Sequence, residues 1–194
     1  MSAGTSGAAW RELLGDEELK PVPRRVDRRA FGREFPSGEA TATECAQNLM
    51  RTAQLFMDAD ARGLRRHGLS IPARILLATL EGSAEPLSHS AIGDRLLVTG
   101  ASVTSLVDTL ERRGLVTRTR DKTDRRIVLV GLTAEGRTTV DSFLPEVTAL
   151  HAAEFSVLDD AEREQLVILL AKVAAAIERL DVDTVASSAR PRRK

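Results

Sequence analysis

Tyrosine is absent from this 194-residue chain, and aromatic residues of all kinds make up only 3% of it. A single cysteine, Cys45, excludes an intramolecular disulfide. With three scattered histidines, His67, His89 and His151, it makes neither a zinc cage nor a disulfide framework. The compartment expected is therefore a reducing one, the cytoplasm. Charge of one sign is missing too: 28 Lys and Arg balance 28 Asp and Glu, so any case for a charged partner has to be local. No apolar run approaches the roughly 18 to 20 residues of a bilayer span, and the opening MSAGTSGAAWRELLGDEELK has no basic region followed by an apolar one. Membrane insertion and secretion are not expected. Nor does the chain contain a G-x-S-x-G elbow, a P-loop, a G-x-G-x-x-G after a strand, or a metal triad. The reading is a protein that is not an enzyme, with no catalytic residue, no cofactor and no metal.

What is present falls into three stretches. Residues 1–42 are punctuated by Gly, Ser, Ala and Pro and hold too few apolar residues for a core, so they read as an arm. A short helix over 10–19 is possible there, and Arg24, Arg25, Arg28, Arg29 and Arg33 make 24–33 basic. From about Thr43 to 182 the pattern is that of one folded domain, and 183–194 is a basic tail. Ala46, Leu49, Met50, Ala53, Phe56, Met57, Ala61 and Leu64 recur at three- and four-residue spacing and predict a long helix that His67-Gly68 ends. Ser70 and Pro72 open a second helix, with Ile75, Leu76, Thr79 and Leu80 as its buried face. Ser88 caps a short helix. After the corner Val98-Thr99-Gly100 another follows, with Val103, Leu106, Val107 and Leu110 inward and Gly114 as its stop. Two short helices about a tight corner form a helix-turn-helix.

The period then drops to two: 115–120 and 127–132 read as paired strands, and Asp121 to Arg126 between them form a polar tip. Thr133 caps the next helix, which passes Pro145. Asp159 with Glu162 forms a capping box for the last helix, whose buried face is expected to be Leu166, Leu169, Leu170, Val173, Ile177 and Leu180. Between Arg112 and Arg126 seven cations face two anions, an excess of five, while 159–183 carry seven acids against three bases. The neutral total therefore hides a local positive end. A hairpin with cations at its tip suits a minor groove, whose narrow negative channel attracts Arg, and an α-helix fits the major groove beside it.

The run Asp124-Arg125-Arg126-Ile127-Val128-Leu129-Val130-Gly131-Leu132-Thr133-Ala134-Glu135-Gly136-Arg137 resembles the wing signature of the MarR family of bacterial transcription regulators, and Ser102 to Val116 resembles that family's recognition helix and its exit. The likeness extends from about Thr43 to Leu180. It implies a mainly α winged helix-turn-helix with a two-stranded β-wing, a DNA-binding lobe over 70–140, and helices at 43–67 and 141–182 forming a dimerisation domain. It implies a homodimer on double-stranded DNA with a pseudo-palindromic operator, acting as a ligand-responsive repressor. The alternative is a dimeric small-molecule or redox sensor with weak or nonspecific DNA binding. In the wing the resemblance puts Arg126 into the minor groove, braced by Asp124, with Arg125 and Lys122 toward phosphates. On the recognition helix the residues expected at DNA are Thr99, Gly100, Ala101, Ser102, Thr104, Ser105 and Arg112. Many relatives carry an Arg about where Ser105 stands, which shifts the expected weight of specificity toward DNA shape and the wing.

The resemblance also implies a small aromatic or lipophilic anionic effector. Its pocket would be lined by Leu49, Phe56, Leu64, His67, Arg74 and Leu77, with His67 or Arg74 pairing a carboxylate. Cys45 stands about where peroxide-sensing relatives place a reactive thiol, but those relatives support it with tyrosines, which this chain lacks; the other reading is a small buried cysteine.

Overall fold

The computed structural model describes residues 22–36, 38–96 and 100–188. The predicted helix at 10–19, the corner residues Val98 and Thr99, and the basic end of the tail lie outside the described residues. The elements run α1 (Arg28–Glu34), α2 (Ala40–Leu64) with a 3-10 turn (Arg65–His67), α3 (Ile71–Glu81), β1 (Leu87–Ser88), α4 (His89–Leu96) and α5 (Gly100–Arg112). They continue as β2 (Val116–Arg120), β3 (Val128–Leu132), α6 (Ala134–Glu154), α7 (Asp160–Glu178) and α8 (Val182–Ser188). Two compact units emerge: one covers Glu18–His151, and the other includes, among the described residues, 152–188.

In the first unit several helix boundaries have a local cause. Ser70 accepts the Ala73 N–H at 3.4 Å to open α3, with Pro72 in the first turn, where its missing N–H costs nothing. Ser88 does the same for α4 through the Ala91 N–H at 3.2 Å. Gly114, at φ 72°, turns the chain out of α5 in the left-handed conformation that a side chain would disfavour. Thr133 closes the far side of the same junction: its hydroxyl donates to the Gly114 carbonyl at 2.7 Å and accepts the Gly136 N–H at 2.9 Å. Helix α3 contributes Ala73, Leu76, Leu77 and Leu80 to the core, α5 adds Val103, Val107 and Leu110, and Phe143 enters from α6 without exposed surface. Each Val, Leu or Phe among them, fully buried, is worth about 1.5–3 kcal/mol. The expected inward face of α3 is thus rotated: Leu77 is buried, while Ile75 and Thr79 are only half-buried.

The hairpin pairs Val116 with Leu132 and Arg120 with Val128. The two-stranded wing expected from the sequence is extended by a third strand, because Leu87 and Ser88 pair with Val130 and Leu129, giving the antiparallel order β1-β3-β2. Two residues carry no periodicity, so only the pairing reveals this strand. The arm, too, is not simply solvated. Asp27 caps α1 by accepting from the Arg29 and Ala30 N–H groups, and the chain before it is latched to α2. The buried carboxylate of Glu44 accepts from Arg25 Nη1 at 2.8 Å, the Val26 N–H at 3.2 Å and Arg28 Nη2 at 3.4 Å. Asn48 binds the Arg24 backbone through both its amide oxygen and its amide nitrogen. The Arg25 hydrogen bond outweighs burial and holds the Glu44 carboxyl below the usual carboxylate range.

In the second unit the capping box at Asp159 and Glu162 forms as the sequence predicts. The expected burial does not. Leu169, Leu170, Val173, Ile177 and Leu180 are exposed and Leu166 is half-buried, so the apolar stripe that the periodicity predicts is there but lies open. The basic tail also starts later than expected, since α8 carries helix to Ser188, begun by Asp181, which accepts from the Asp183 and Thr184 N–H groups.

Candidate nucleic-acid interface

Helix α5 buries one side and shows the other. With Val103, Val107 and Leu110 inward, Gly100, Ala101, Ser102, Thr104 and Ser105 are exposed, which brings all the candidate residues of the helix start except Thr99 onto one accessible stretch. The Thr104 hydroxyl donates to the Gly100 carbonyl at 3.0 Å, leaving its oxygen as an acceptor on that face. Arg112 is turned back along the helix, its Nε donating to the Asp108 carbonyl at 3.3 Å and its Nη2 to the Thr109 hydroxyl at 3.3 Å.

The wing tip is built from two nested carboxylate turns. Asp121 accepts from the Thr123 N–H at 2.7 Å, the Asp124 N–H at 2.9 Å and the Thr123 hydroxyl. Asp124 in turn accepts from the Arg126 N–H at 3.0 Å and from its Nε at 3.3 Å. The Arg126 side chain is 94% exposed and braced at its base by a carboxylate, so it projects from an ordered tip. Lys122 and Arg125 are exposed beside it. The Thr123 hydroxyl first, then the two backbone N–H groups, hold the Asp121 carboxyl below its ordinary 3.8. Because its folded-state pKa is the lower one, this turn contributes stability above the ordinary value and loses it as pH falls through the lowered one. Asp121→Ala removes all three bonds at once. Amide exchange at Thr123 and Asp124 should then accelerate about tenfold while the melting temperature changes by no more than about 2 °C, as for an exposed turn; protection that persists in the variant would show that the turn is held elsewhere.

Not every cation of the basic stretch faces outward. Arg113 Nη1 donates to the Gly68 carbonyl at 2.8 Å. Arg118, in the middle of β2, reaches α5 and bridges two carboxylates, Glu111 through Nη1 and Asp108 through Nη2, both at 2.5 Å. Burial opposes its charge, but the pair of carboxylates more than offsets this and holds the guanidinium above its ordinary value. Counting Asp108 and Glu111 lowers the local excess from five to three. Sequence reasoning missed this bridge because it joins residues from different elements.

The expected effector residues have different surroundings. Leu64 and Leu77 belong to the core, and Leu49 is 41% exposed on α2. His67 is tied to α6: Nε2 lies 2.7 Å from Glu146 Oε2, and Nδ1 lies 3.3 Å from the Ser142 hydroxyl. The bond from His67 first, helped by the charge of Arg66, outweighs burial and holds the Glu146 carboxyl below its ordinary value. Arg74 Nη2 lies 2.8 Å from the buried Asp60 carboxylate. Phe56 stacks on His151 with ring centres 5.4 Å apart. Close by, Asp60 Oδ1, Arg74 Nε and His151 Nε2 are buried without a hydrogen-bond partner, the first and last 3.5 Å apart. A cleft of about 910 Å³ lies elsewhere, along the flank of α5, where Ser70, Pro72 and Ile75 face Ala101, Ser102 and Ser105. Cys45 is exposed in the second turn of α2, contrary to the reading of a small buried cysteine. Among the described residues no group of three His, Cys, Asp or Glu could hold a metal ion, and no helix is long and apolar enough to cross a membrane.

Comparison with known proteins agrees with this geometry. The sequence profile of the MarR family matches residues 67–127, the stretch from the 3-10 turn to the wing tip. The HTH-type transcriptional regulator YkoM of Bacillus subtilis is 34% identical over 133 residues, which cover 66% of this chain and 86% of its own. Among solved structures, CouR of Rhodococcus jostii, bound to p-coumaroyl-CoA, superposes with a TM-score of 0.64 at 28% identity, over 71% of this chain and 96% of that one. The Staphylococcus aureus MepR–DNA complex gives 0.62 at 26% identity, over 66% and 95%.

Proposed function

We propose, because the chain belongs to the MarR family of transcription regulators, that it binds operator DNA as a homodimer and acts as a repressor released by a small molecule. The observation that carries the reading is Arg126, fully projecting and braced by Asp124, on the same lobe as the exposed start of α5. The wing arginine would enter the minor groove, with Ala101, Ser102, Thr104 and Ser105 at base edges and Gly100, Arg112, Lys122 and Arg125 toward phosphates. Thr99, outside the described residues, belongs to the same proposed set. The cytoplasm, where such DNA lies, is the proposed location.

The dimer rests on uncovered apolar surface. Met50, Leu55 and Met57 on α2 are more than half exposed, and so are Val167, Ile168 and Ile177 on α7, Leu180 after it and Val182 on α8. Surface of this kind calls for a partner, and a two-fold dimer presents two reading helices about one helical turn apart. For the effector, the aromatic stack of Phe56 on His151 and the unpartnered Arg74 Nε support a small aromatic acid. In the similar regulator CouR the bound molecule, p-coumaroyl-CoA, likewise carries an aromatic group.

Selection from a random duplex library tests the reading. The wild-type dimer should enrich a pseudo-palindrome, and Arg126→Ala should bind it about 1–3 kcal/mol more weakly, a loss of roughly 5- to 150-fold, with the dimer intact in sedimentation. A library that shows no enrichment would leave the chain as a sensor with nonspecific DNA binding.

A further inference from the structure

The bridge from β2 to α5 is not explained by DNA contact. Asp108 and Glu111 lie three residues apart on α5, so their carboxylates sit on neighbouring turns of one face, and Arg118 spans both with the two ends of one guanidinium. Only 24% of the Arg118 side chain is exposed. A planar fork held by two carboxylates has little freedom left to reach a phosphate. Its anchors are telling. Arg118 sits mid-strand, opposite Val130 in the ladder, and that ladder continues through Arg120 and Val128 to the tip that carries Arg126. Asp108 and Glu111 follow Ser105 on the helix whose first turns are the exposed reading face. The bridge therefore joins the two elements that would enter neighbouring grooves.

We propose that Arg118 is a positioning residue for operator recognition, which by clasping Asp108 and Glu111 fixes the wing to the reading helix at one spacing. The proposal rests on the DNA-binding reading above. Two reading elements that are held together bind a site of matching spacing as one unit; if they move separately, the second must be ordered at each binding event. Random duplex, bound through phosphates alone, has less need of that spacing.

Glu111→Gln separates this role from simple electrostatics. Removing an acid beside a DNA-binding face should tighten binding to every duplex if charge alone matters. With a positioning role, affinity for the selected operator falls several-fold while random duplex is bound equally or more tightly. Arg118→Gln should lower operator affinity about tenfold or more with a salt slope like that of the wild type, and Arg118→Lys, which can hold one carboxylate, should fall between. The measurement is anisotropy titration on both duplexes from 50 to 200 mM salt, alongside melting temperature. Operator binding tightened by Glu111→Gln would overturn the proposal. So would an Arg118→Gln variant that loses both duplexes in parallel with a slope reduced by about 0.9, the mark of a lost phosphate contact. If Arg118→Gln melts early, the Glu111→Gln result alone decides. A wild-type chain with no operator preference would reject the regulator reading itself, and this inference with it.

Discussion

Asp60→Ala should destabilise the protein by about 3–5 kcal/mol, which for a chain of this size lowers the melting temperature by roughly 6 to 20 °C. Asp60 is 1% exposed and its Oδ2 lies 2.8 Å from Arg74 Nη2. Removing the carboxylate leaves a guanidinium that is largely withdrawn from water, already lacks a partner at Nε, and among the described residues has no other acid paired with it. The large figure is the cost of an uncompensated charge rather than the net worth of the pair. That distinction gives the prediction its second arm: Asp60→Leu together with Arg74→Met, apolar on both sides, should recover most of the loss. Thermal melting at one fixed protein concentration checks both, since the stability of a dimer depends on concentration. A single variant that costs less than about 1 kcal/mol would show that water reaches the pair and solvates what remains. The pair also has a functional place, because it fastens α2, which carries the uncovered apolar face, to α3 in the core of the DNA-binding lobe.

The reach of the sequence follows from the range of the forces involved. Caps and stops are local, so Ser70, Ser88, Gly114, Thr133 and the Asp159–Glu162 box were legible, and with them the order of helices and the hairpin. Helix α1 was not, because its seven residues hold only Ala30 and Phe31 as apolar side chains, too few for a period, and its stability comes from the Asp27 cap and the latch at Glu44. Periodicity finds an apolar face but does not say what covers it. For that reason the apolar face of the last helix was legible as a face, while its cover was expected from a second copy on the strength of the resemblance; Leu64 and Leu77, expected at an effector pocket, are side chains of the core. The brace of Arg126 by Asp124 spans two residues and was expected. The clasp of Arg118 spans ten residues to Asp108 and seven to Glu111, across two elements, and left no local trace.

Gly136→Ala should cost about 3 kcal/mol and lower the melting temperature by roughly 6 to 12 °C, although alanine is the better helix former by about 1 kcal/mol. A Cβ built on Gly136 falls 2.0 Å from the Leu115 carbonyl oxygen and 3.0 Å from its carbon. Neither is the movable end of a side chain. Leu115 is the residue between the Gly114 turn and β2, and its carbonyl also receives the Thr133 N–H at 3.1 Å. Any shift that relieves the clash must therefore part the start of α6 from the root of the wing and strain the Thr133 bonds to Gly114 and Gly136. The glycine is thus required by an approach of backbone to backbone rather than by its own conformation, since it lies within a regular helix. Because the displaced strand leads to Arg118 and onward to the tip, operator affinity measured well below the melting temperature should fall too, by about tenfold if the spacing of wing and helix matters as proposed. A variant with unchanged melting would mean that α6 and the wing root stand further apart in solution than 2.0 Å allows.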